Sequence, residues 1–149
     1  MEFQRVAPAN ELTSFVECFW QAESNESKPE CVKIIPDGFP EIIFHFGDPY
    51  RIRFTKHWSV QSKSLFGGQL KHFFFLENTG TSDVFGIKLK PTAPTHLFKL
   101  SIHKFTNRVV DLNELPEIQK ELSSGMKECT TLKDRVAFAE NLSNRKSFM

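Results

Sequence analysis

The sequence predicts a mainly β protein with C-terminal helices, in which an antiparallel β-barrel or sandwich precedes about three helices. Two observations support this α+β class. Up to residue 91, roughly seven or eight short apolar runs alternate with turn residues, as in antiparallel barrels and sandwiches. From residue 92, the apolar residues recur at helical spacing instead. We therefore divide the chain into a β region, residues 1–91, and a helical region, residues 92–149.

One predicted strand of the β region runs from Glu41 to Phe46 and follows a tight turn, and a second, Tyr50 to Thr55, alternates cleanly with Tyr50 and Ile52 on one face. The sequence Pro36-Asp37-Gly38 predicts this turn, because proline fixes φ and glycine accepts a positive φ. Side chains alternate between the two faces of a strand, so Glu41 and His45 share one face. Phe44 and Phe46 then lie on the opposite face.

Two interpretations fit the neighbouring acids Asp37 and Glu41. A general acid–base pair would require environments that push their pKa values apart. A turn position explains Asp37 better, because an Asp side chain in such a turn commonly bonds its own backbone. Glu41 can contact a ligand or a neighbouring backbone, and the sequence leaves both open. We assign no catalytic residue.

Phenylalanine dominates the aromatic residues, with 16 Phe against one Tyr and two Trp. Phe has no polar group, so most of these rings should be buried, in a plain core or around an apolar cavity. Trp20 and Trp58 are the strongest cavity candidates, because an indole N–H needs a partner and often lies near water. The complete candidate pocket is Trp20, Glu41, Phe44, His45, Phe46, Trp58, Phe75 and Phe85.

Two further patterns concern which side of the sheet is covered. In Phe73-Phe74-Phe75, alternation places Phe74 opposite its neighbours, and all three bury only if helices cover the sheet. Without that cover they would form an exposed interface patch, and we expect helix cover. In the strand 83–90, we expect Phe85 to point inward and Lys88 to point outward into solvent.

Capping patterns predict where the helices begin. Thr92 is a cap candidate with Pro94 in the first turn, and Asn113 is a cap candidate for a second helix. Thr131 with Asp134 resembles a capping box for a third. The apolar stripe of this last helix is Leu132, Val136, Ala139 and Leu142.

Charge and targeting signals exclude several classes of protein. The chain has 19 basic and 18 acidic residues, for a net charge of +1, and they are interleaved. This balance predicts no direct binding to DNA, because little counterion release would accompany association. No signal peptide and no membrane-spanning run is present, which predicts a cytoplasmic protein without membrane partners. The three cysteines lack metal-ligand spacing, and we expect them to be reduced.

Five segments occur in an order that resembles the N-terminal domain of AraC-type transcription regulators. These segments are Phe15–Trp20, Ile34–Gly47, Phe66–Gln69, Gly86–Ala93 and Val109–Leu112. The second resembles the Pro-Asp-Gly signature of that domain, and the fourth resembles its run from a glycine into a helix. The match covers nearly the whole chain. It departs from the family at residue 92, where the family usually has Gly and this chain has Thr.

The resemblance implies a cupin-like barrel, or jelly roll, that senses an unidentified small-molecule effector. It also implies that the helices pair two subunits, so we expect a homodimer. In such regulators DNA is bound by a C-terminal helix–turn–helix unit, which this chain does not contain. Any contact with DNA is therefore expected through that absent unit alone.

The alternatives are a small metal-dependent cupin enzyme and a dimerising scaffold whose barrel is filled solid. Catalytic cupins hold a metal with two His separated by one residue, and no His-x-His occurs in this chain. His45, His57 and His72 are not at ligand spacing, and a transition metal needs three or four convergent ligands. We therefore expect no enzyme activity, no metal and no cofactor.

Overall fold

The computed structural model describes residues 2–147, and side chains as far as residue 141. Leu142, predicted on the apolar stripe of the last helix, therefore has its side chain outside the described residues. The strands are β1 (Glu2–Val6), β2 (Val16–Ser24), β3 (Cys31–Ile34), β4 (Glu41–His45), β5 (Arg51–Arg53), β6 (Trp58–Val60), β7 (Ser64–Gly67), β8 (Phe74–Glu77), β9 (Ser82–Leu89) and β10 (Val109–Asp111). The helices are α1 (Ala93–Phe98), α2 (Pro116–Lys127) and α3 (Leu132–Ser147).

These strands form two antiparallel sheets. The large sheet has the order β1-β2-β9-β4-β7-β10, and the small sheet has the order β3-β8-β5-β6. The mainly β class with C-terminal helices is thus confirmed, in a two-sheet arrangement compatible with a cupin-like sandwich. Strand β10 pairs with β7 although it lies beyond the predicted β region, so residues 109–111 extend the large sheet.

The main hydrophobic core lies between the large sheet and the helices, not between the two sheets. Phe19, Phe66 and Phe85 on the outer face of the large sheet are fully buried. They belong to one cluster with apolar side chains of the helical layer, among them Ile118 and Met126. A sheet covered on both sides buries both sets of alternating side chains, which accounts for the many rings without polar groups.

The ends of the helices confirm two of the predicted capping features and correct a third. Pro94 lies in the first turn of α1 as expected, but Thr92 makes no side-chain cap and has helical dihedral angles. The prediction of Thr92 as a cap is therefore wrong. At α3, the Asp134 N–H donates to Thr131 Oγ1 over 3.1 Å, which is the predicted half of a capping box.

The second helix begins later than predicted. Asn113 lies in a short 3-10 turn, Leu112–Glu114, whose own cap is Asp111. The Asn113 N–H donates to Asp111 Oδ1 over 2.8 Å. Helix α2 starts at Pro116, a residue that suits the first turn because its missing N–H would have had no helical partner. Asn113 is therefore not its cap.

The prediction that helices cover Phe73-Phe74-Phe75 is wrong. The helices pack on the large sheet, whereas Phe74 and Phe75 belong to β8 of the small sheet. Phe74 points toward the large sheet and is buried, but Phe75 is only partly buried and Phe73 is 49% exposed. Alternation correctly separated Phe74 from its neighbours. It carried no information about which sheet the helices would cover.

Candidate ligand-binding cavity

A cavity of about 470 Å³ lies between the two sheets. This volume falls in the range of sites for small organic molecules, which are mostly apolar with a few polar groups. Most of its lining is apolar, and Val32, Ile34, Ile52, Phe74 and Leu76 face it from the small sheet. The interior of the sandwich is therefore not filled solid by side chains.

Alternation along three central strands of the large sheet builds the opposite wall. Strand register aligns the cavity-facing residues of β2, β9 and β4 in three rows. From one end of the cavity to the other, these rows are Ala22, Val84 and His45; then Trp20, Gly86 and Ile43; then Cys18, Lys88 and Glu41. Polar side chains thus occupy both ends of β4, with an apolar row between them.

The middle row depends on a glycine. A Cβ atom at Gly86 would lie 2.1 Å from Cε2 of the Trp20 indole, so this ring rests directly on the backbone of β9. Glycine inside a strand commonly marks such a close approach. The Phe3 ring also packs against Trp20, with a centroid separation of 6.1 Å and an interplanar angle of 21°. The indole therefore forms a flat aromatic floor in the cavity.

One polar end combines the Pro-Asp-Gly turn with two strand residues. Gly38 has φ of +84°, and the Phe39 N–H donates to Asp37 Oδ1 over 3.1 Å, which confirms the turn role of Asp37. The second Asp37 oxygen accepts a hydrogen bond from Lys88 Nζ. Lys88 Nζ also lies 3.8 Å from Glu41 Oε1. Two carboxylates thus share one ammonium group.

The environment shifts the acid–base behaviour of this end. Burial raises the pKa of Glu41 to about 7, although Lys88 opposes the shift and the Trp20 indole donates toward the carboxylate. The Glu41 side chain is 24% exposed, and Glu41 is one of the residues that line the cavity. Burial lowers the pKa of Lys88, but the Asp37 hydrogen bond and Glu41 outweigh it, and the pKa is raised overall. Near neutral pH, Lys88 is therefore charged, and Glu41 is partly protonated.

The other polar end is uncharged. His45 is buried, and its Nε2 lies 3.0 Å from Gln61 Oε1, so this nitrogen donates the hydrogen bond. Burial lowers the pKa of His45, which keeps the imidazole neutral. The Tyr50 ring lies 5.5 Å away. Within the described part of the chain, His45 Nδ1 and the Tyr50 hydroxyl are buried without a hydrogen-bond partner. A buried polar atom without a partner costs free energy unless a ligand or water satisfies it.

The structure divides the predicted pocket residues by the face on which they lie. Trp20, Glu41 and His45 line the cavity. Phe44, Phe46 and Phe85 do not, since they take the opposite face of the same strands and pack with the helical layer. The prediction that both faces of β4 line one pocket is wrong, because alternation cannot bring neighbouring positions of a flat strand to the same side.

Two further predicted residues lie outside the sandwich. Phe75 and Trp58 are on the outer face of the small sheet, where the register places both opposite Arg53. The Arg53 guanidinium lies 4.6 Å from the Phe75 ring centroid and 5.1 Å from that of Trp58. The indole of Trp58 therefore packs against a surface cation, and its place in the pocket prediction is corrected.

Several cavity residues were missed. Lys88 was expected in solvent, but its side chain is only 20% exposed and pairs within the cavity. The sequence did contain a signal for this position. Lys88 shares a strand face with Gly86, and the other face of that strand is apolar. The alternating run from Tyr50 to Thr55 did place Tyr50 on one face with Ile52, which also lines the cavity, whereas Gln61 carried no signal. Tyr50 and Gln61 flank a hairpin of the small sheet and reach His45 only through its folding.

Directly behind the cavity, α3 is attached to the large sheet by Arg135. Its side chain is 3% exposed, and Nη1 and Nη2 donate to the two Asp83 oxygens over 2.9 and 3.2 Å. Nη1 also donates to Gln21 Oε1 over 2.6 Å. The guanidinium carbon lies 3.6 Å from the Phe46 ring centroid. Asp83, Gln21 and Phe46 are each adjacent in sequence to a residue that lines the cavity.

Among residues 2–147, no three His, Cys, Asp or Glu side chains are grouped as a metal ion would require. None of the helices in this part of the chain is long and apolar enough to cross a bilayer.

Comparisons with known proteins give a family and a distant structural likeness. A family model described as a domain of unknown function, DUF6597, matches residues 4–111. No curated protein matches the chain. A crystal structure of CoII HppE in complex with Tris buffer is similar with a TM-score of 0.40 and 9% sequence identity, over 58% of this chain and 52% of that one. The chain thus aligns with about half the length of that solved protein.

Proposed function

The chain belongs to the DUF6597 family of domains, and from this premise we propose that it is a ligand-sensing module and not an enzyme. The cavity takes a small, partly apolar effector. The helical layer on the far side of the large sheet then transmits occupancy to whatever it contacts. The proposal assigns no catalytic residue, metal or cofactor.

A single observation carries this proposal: one sheet serves both the cavity and the helices. Trp20 faces the cavity while its neighbour Gln21 bonds Arg135 of α3. In β9, Val84 faces the cavity while Asp83 holds the same arginine. Any ligand that shifts these strands also shifts the anchor points of α3. Occupancy changes the helical layer only if the effector prefers one of two arrangements.

The resemblance to AraC-type regulators supports placing this sensor in transcription control. In that setting the protein acts in the cytoplasm as a homodimer, paired through its helical layer. DNA is contacted by a helix–turn–helix unit C-terminal to the sensor, and the sensor itself, with net charge +1, contributes little. Of the alternatives, a solid scaffold accounts poorly for the 470 Å³ cavity.

A thermal-melt screen against a library of small metabolites tests the proposal. Ile43, in the middle row, is substituted to Phe or Trp to fill the cavity, and Val60, exposed on the outer face of the small sheet, is substituted to Trp as the matched control. A true effector near saturation raises Tm by several degrees in the wild type and in V60W, because it binds only the folded state. Both Ile43 variants lose the response. No stabilising compound, or equal stabilisation of folded Ile43 variants, would overturn the proposal.

A further inference from the structure

We infer that the cavity recognises an uncharged hydroxyl group on an apolar body, with the hydroxyl bound between His45 and Tyr50. The inference rests on the proposed ligand-binding function and adds the chemical class of the ligand. Two observations carry it. One is an adjacent pair of buried polar atoms that have no partners, and the other is a row of apolar residues that leads from this pair to the edge of the large sheet.

His45 and Tyr50 present two hydrogen-bonding atoms that the rest of the protein does not use. Both residues line the cavity, and His45 is only 5% exposed. Their rings lie 5.5 Å apart with a tilt of 40°. Even so, within the described part of the chain neither His45 Nδ1 nor the Tyr50 hydroxyl has a hydrogen-bond partner, and both atoms are buried. Each atom therefore costs free energy until a group in the cavity pairs with it.

The chemistry of these two atoms selects a hydroxyl group. His45 Nε2 donates to Gln61 Oε1 over 3.0 Å, so Nδ1 of the neutral ring can only accept. Burial lowers the pKa of His45, which is consistent with a neutral ring. The Tyr50 hydroxyl can donate. A ligand hydroxyl donates to Nδ1 and accepts from Tyr50, whereas an ether or a carboxylate cannot donate and an ammonium group cannot accept.

The charged residues that line the cavity lie away from this pair. Four strand positions, or about 13 Å, separate Glu41 from His45 along β4. The acids and bases near Glu41 already pair with one another: Lys88 with Asp37 and Glu41, and Lys90 and Arg5 with Glu17. An ion placed beside His45 would lose its hydration without gaining a counter-ion, a cost that an uncharged hydroxyl avoids.

A row of apolar residues connects the polar pair to the edge of the large sheet. Strand register aligns His45 with Val84, Ala22 and Phe3 on four neighbouring strands. Neighbouring strands lie about 4.8 Å apart, so this row spans about 14 Å. Phe3 is on the edge strand β1, lines the cavity and is 63% exposed. The apolar body of a ligand can therefore extend from the polar pair along this row.

Four compounds with one apolar body test the inference: 4-phenylbutanol, its methyl ether, 4-phenylbutylammonium and 4-phenylbutanoate. Calorimetric titration measures their affinities for the wild type, Tyr50→Phe, His45→Phe and a control, Ser59→Ala, which removes an exposed hydroxyl from β6. In the wild type and the control, the alcohol binds about tenfold more tightly than the ether, and both ions bind more weakly than the alcohol. Tyr50→Phe weakens the alcohol and the ether alike, by up to about tenfold. His45→Phe abolishes the preference for the alcohol.

Thermal melts of the proteins without ligand separate recognition from a structural role. Tyr50→Phe removes a buried hydroxyl that has no partner, so its Tm should equal or exceed that of the wild type. A Tm lowered by several degrees would show that this hydroxyl is already paired in the protein without ligand, and would overturn the inference. This readout depends on Tyr50 alone and does not require that His45→Phe folds.

The outcomes of the titrations separate this inference from the proposed function. Three results overturn hydroxyl recognition while leaving a ligand-binding cavity: equal binding of the alcohol and the ether, tighter binding of either ion, or undiminished binding of the alcohol to Tyr50→Phe. Binding of none of the four compounds also overturns hydroxyl recognition. The sensing proposal is decided independently by the library screen with the Ile43 variants.

Discussion

Arg135 of α3 and Asp83 of β9 form a two-pronged ion pair inside the protein, with N–O distances of 2.9 and 3.2 Å. Arg135 is almost fully buried, while Asp83 keeps a 35% exposed side chain. The arginine therefore depends on its partners for neutralisation far more than the aspartate does. This asymmetry predicts unequal consequences when either partner is removed.

Asp83→Ala should lower the free energy of unfolding by about 3 kcal/mol, because it leaves a buried guanidinium without its anion. Arg135→Met should cost less, since Asp83 can turn to water and the Met side chain still packs. The double variant should be more stable than Asp83→Ala alone. Urea unfolding measures all three, with Arg108→Met on the surface as the control, expected within about 0.5 kcal/mol of the wild type. An Asp83→Ala cost equal to this control would refute the anchoring role.

Gly86→Ala should displace the Trp20 indole and shrink the cavity. The new methyl group would overlap three atoms of the ring at 2.1, 2.3 and 2.4 Å, far closer than van der Waals contact allows. We expect a loss of roughly 1–3 kcal/mol in unfolding free energy, as for overpacked sites. Gly67→Ala is the matched control, since it also lines the cavity and its Cβ would meet nothing within 4 Å. Equal effects of the two substitutions would show that the indole does not rest on Gly86.

The alternation of β4 and β9 could be predicted from the sequence. Which face lines the cavity and which face packs against the helices could not. Glu41 and His45 were correctly separated from Phe44, because a strand has a fixed period of two. Which face would meet helices depends on contacts with α2 and α3, which begin only at Pro116 and Leu132. The predictions for Phe85 and Lys88 are consequently both wrong: Phe85 packs with the helical layer, and Lys88 lines the cavity.

The small sheet was harder to predict because its strands are short. The run around β5, Tyr50 to Thr55, does alternate, but β6 has three residues, which is too few to establish a period. Trp58 was therefore placed by residue type alone, as an indole that needs a partner. Its partner is a guanidinium on the outer face of the small sheet. Pro36-Asp37-Gly38 was predicted correctly, because its conformation is determined locally.

The stability of the wild type should fall relative to E41Q as pH rises from about 5 to 8. The pKa of Glu41 is about 7 in the folded protein, compared with 4.5 for a solvated glutamate. Between these two pH values, the folded state therefore holds a proton that the unfolded state has lost. Stability is therefore lost as this proton leaves, by on the order of 3 kcal/mol. Urea unfolding of both proteins at pH 5, 6, 7 and 8 gives the difference. His45 contributes equally to both proteins, and a difference that does not vary with pH would contradict the raised pKa.

The two tryptophans should report ligand binding differently. Trp20 lines the cavity, whereas Trp58 lies on the outer face of the small sheet. Adding the compound that gives the largest stabilisation in the thermal screen should change the emission of W58F, in which Trp20 remains, and leave the emission of W20F unchanged. Fluorescence titration of the two variants measures this. A response confined to W20F would place the compound outside the cavity.

Hydrogen–deuterium exchange, measured by mass spectrometry, tests most directly whether one sheet couples the cavity to the helices. The protein is compared alone and saturated with the compound that gives the largest stabilisation in the thermal screen. We predict slower exchange in β2, β4 and β9 together with a changed rate in α3, and loss of the α3 change in Arg135→Met. Slower exchange confined to the strands, with α3 unaltered in the wild type, would contradict the sensing account.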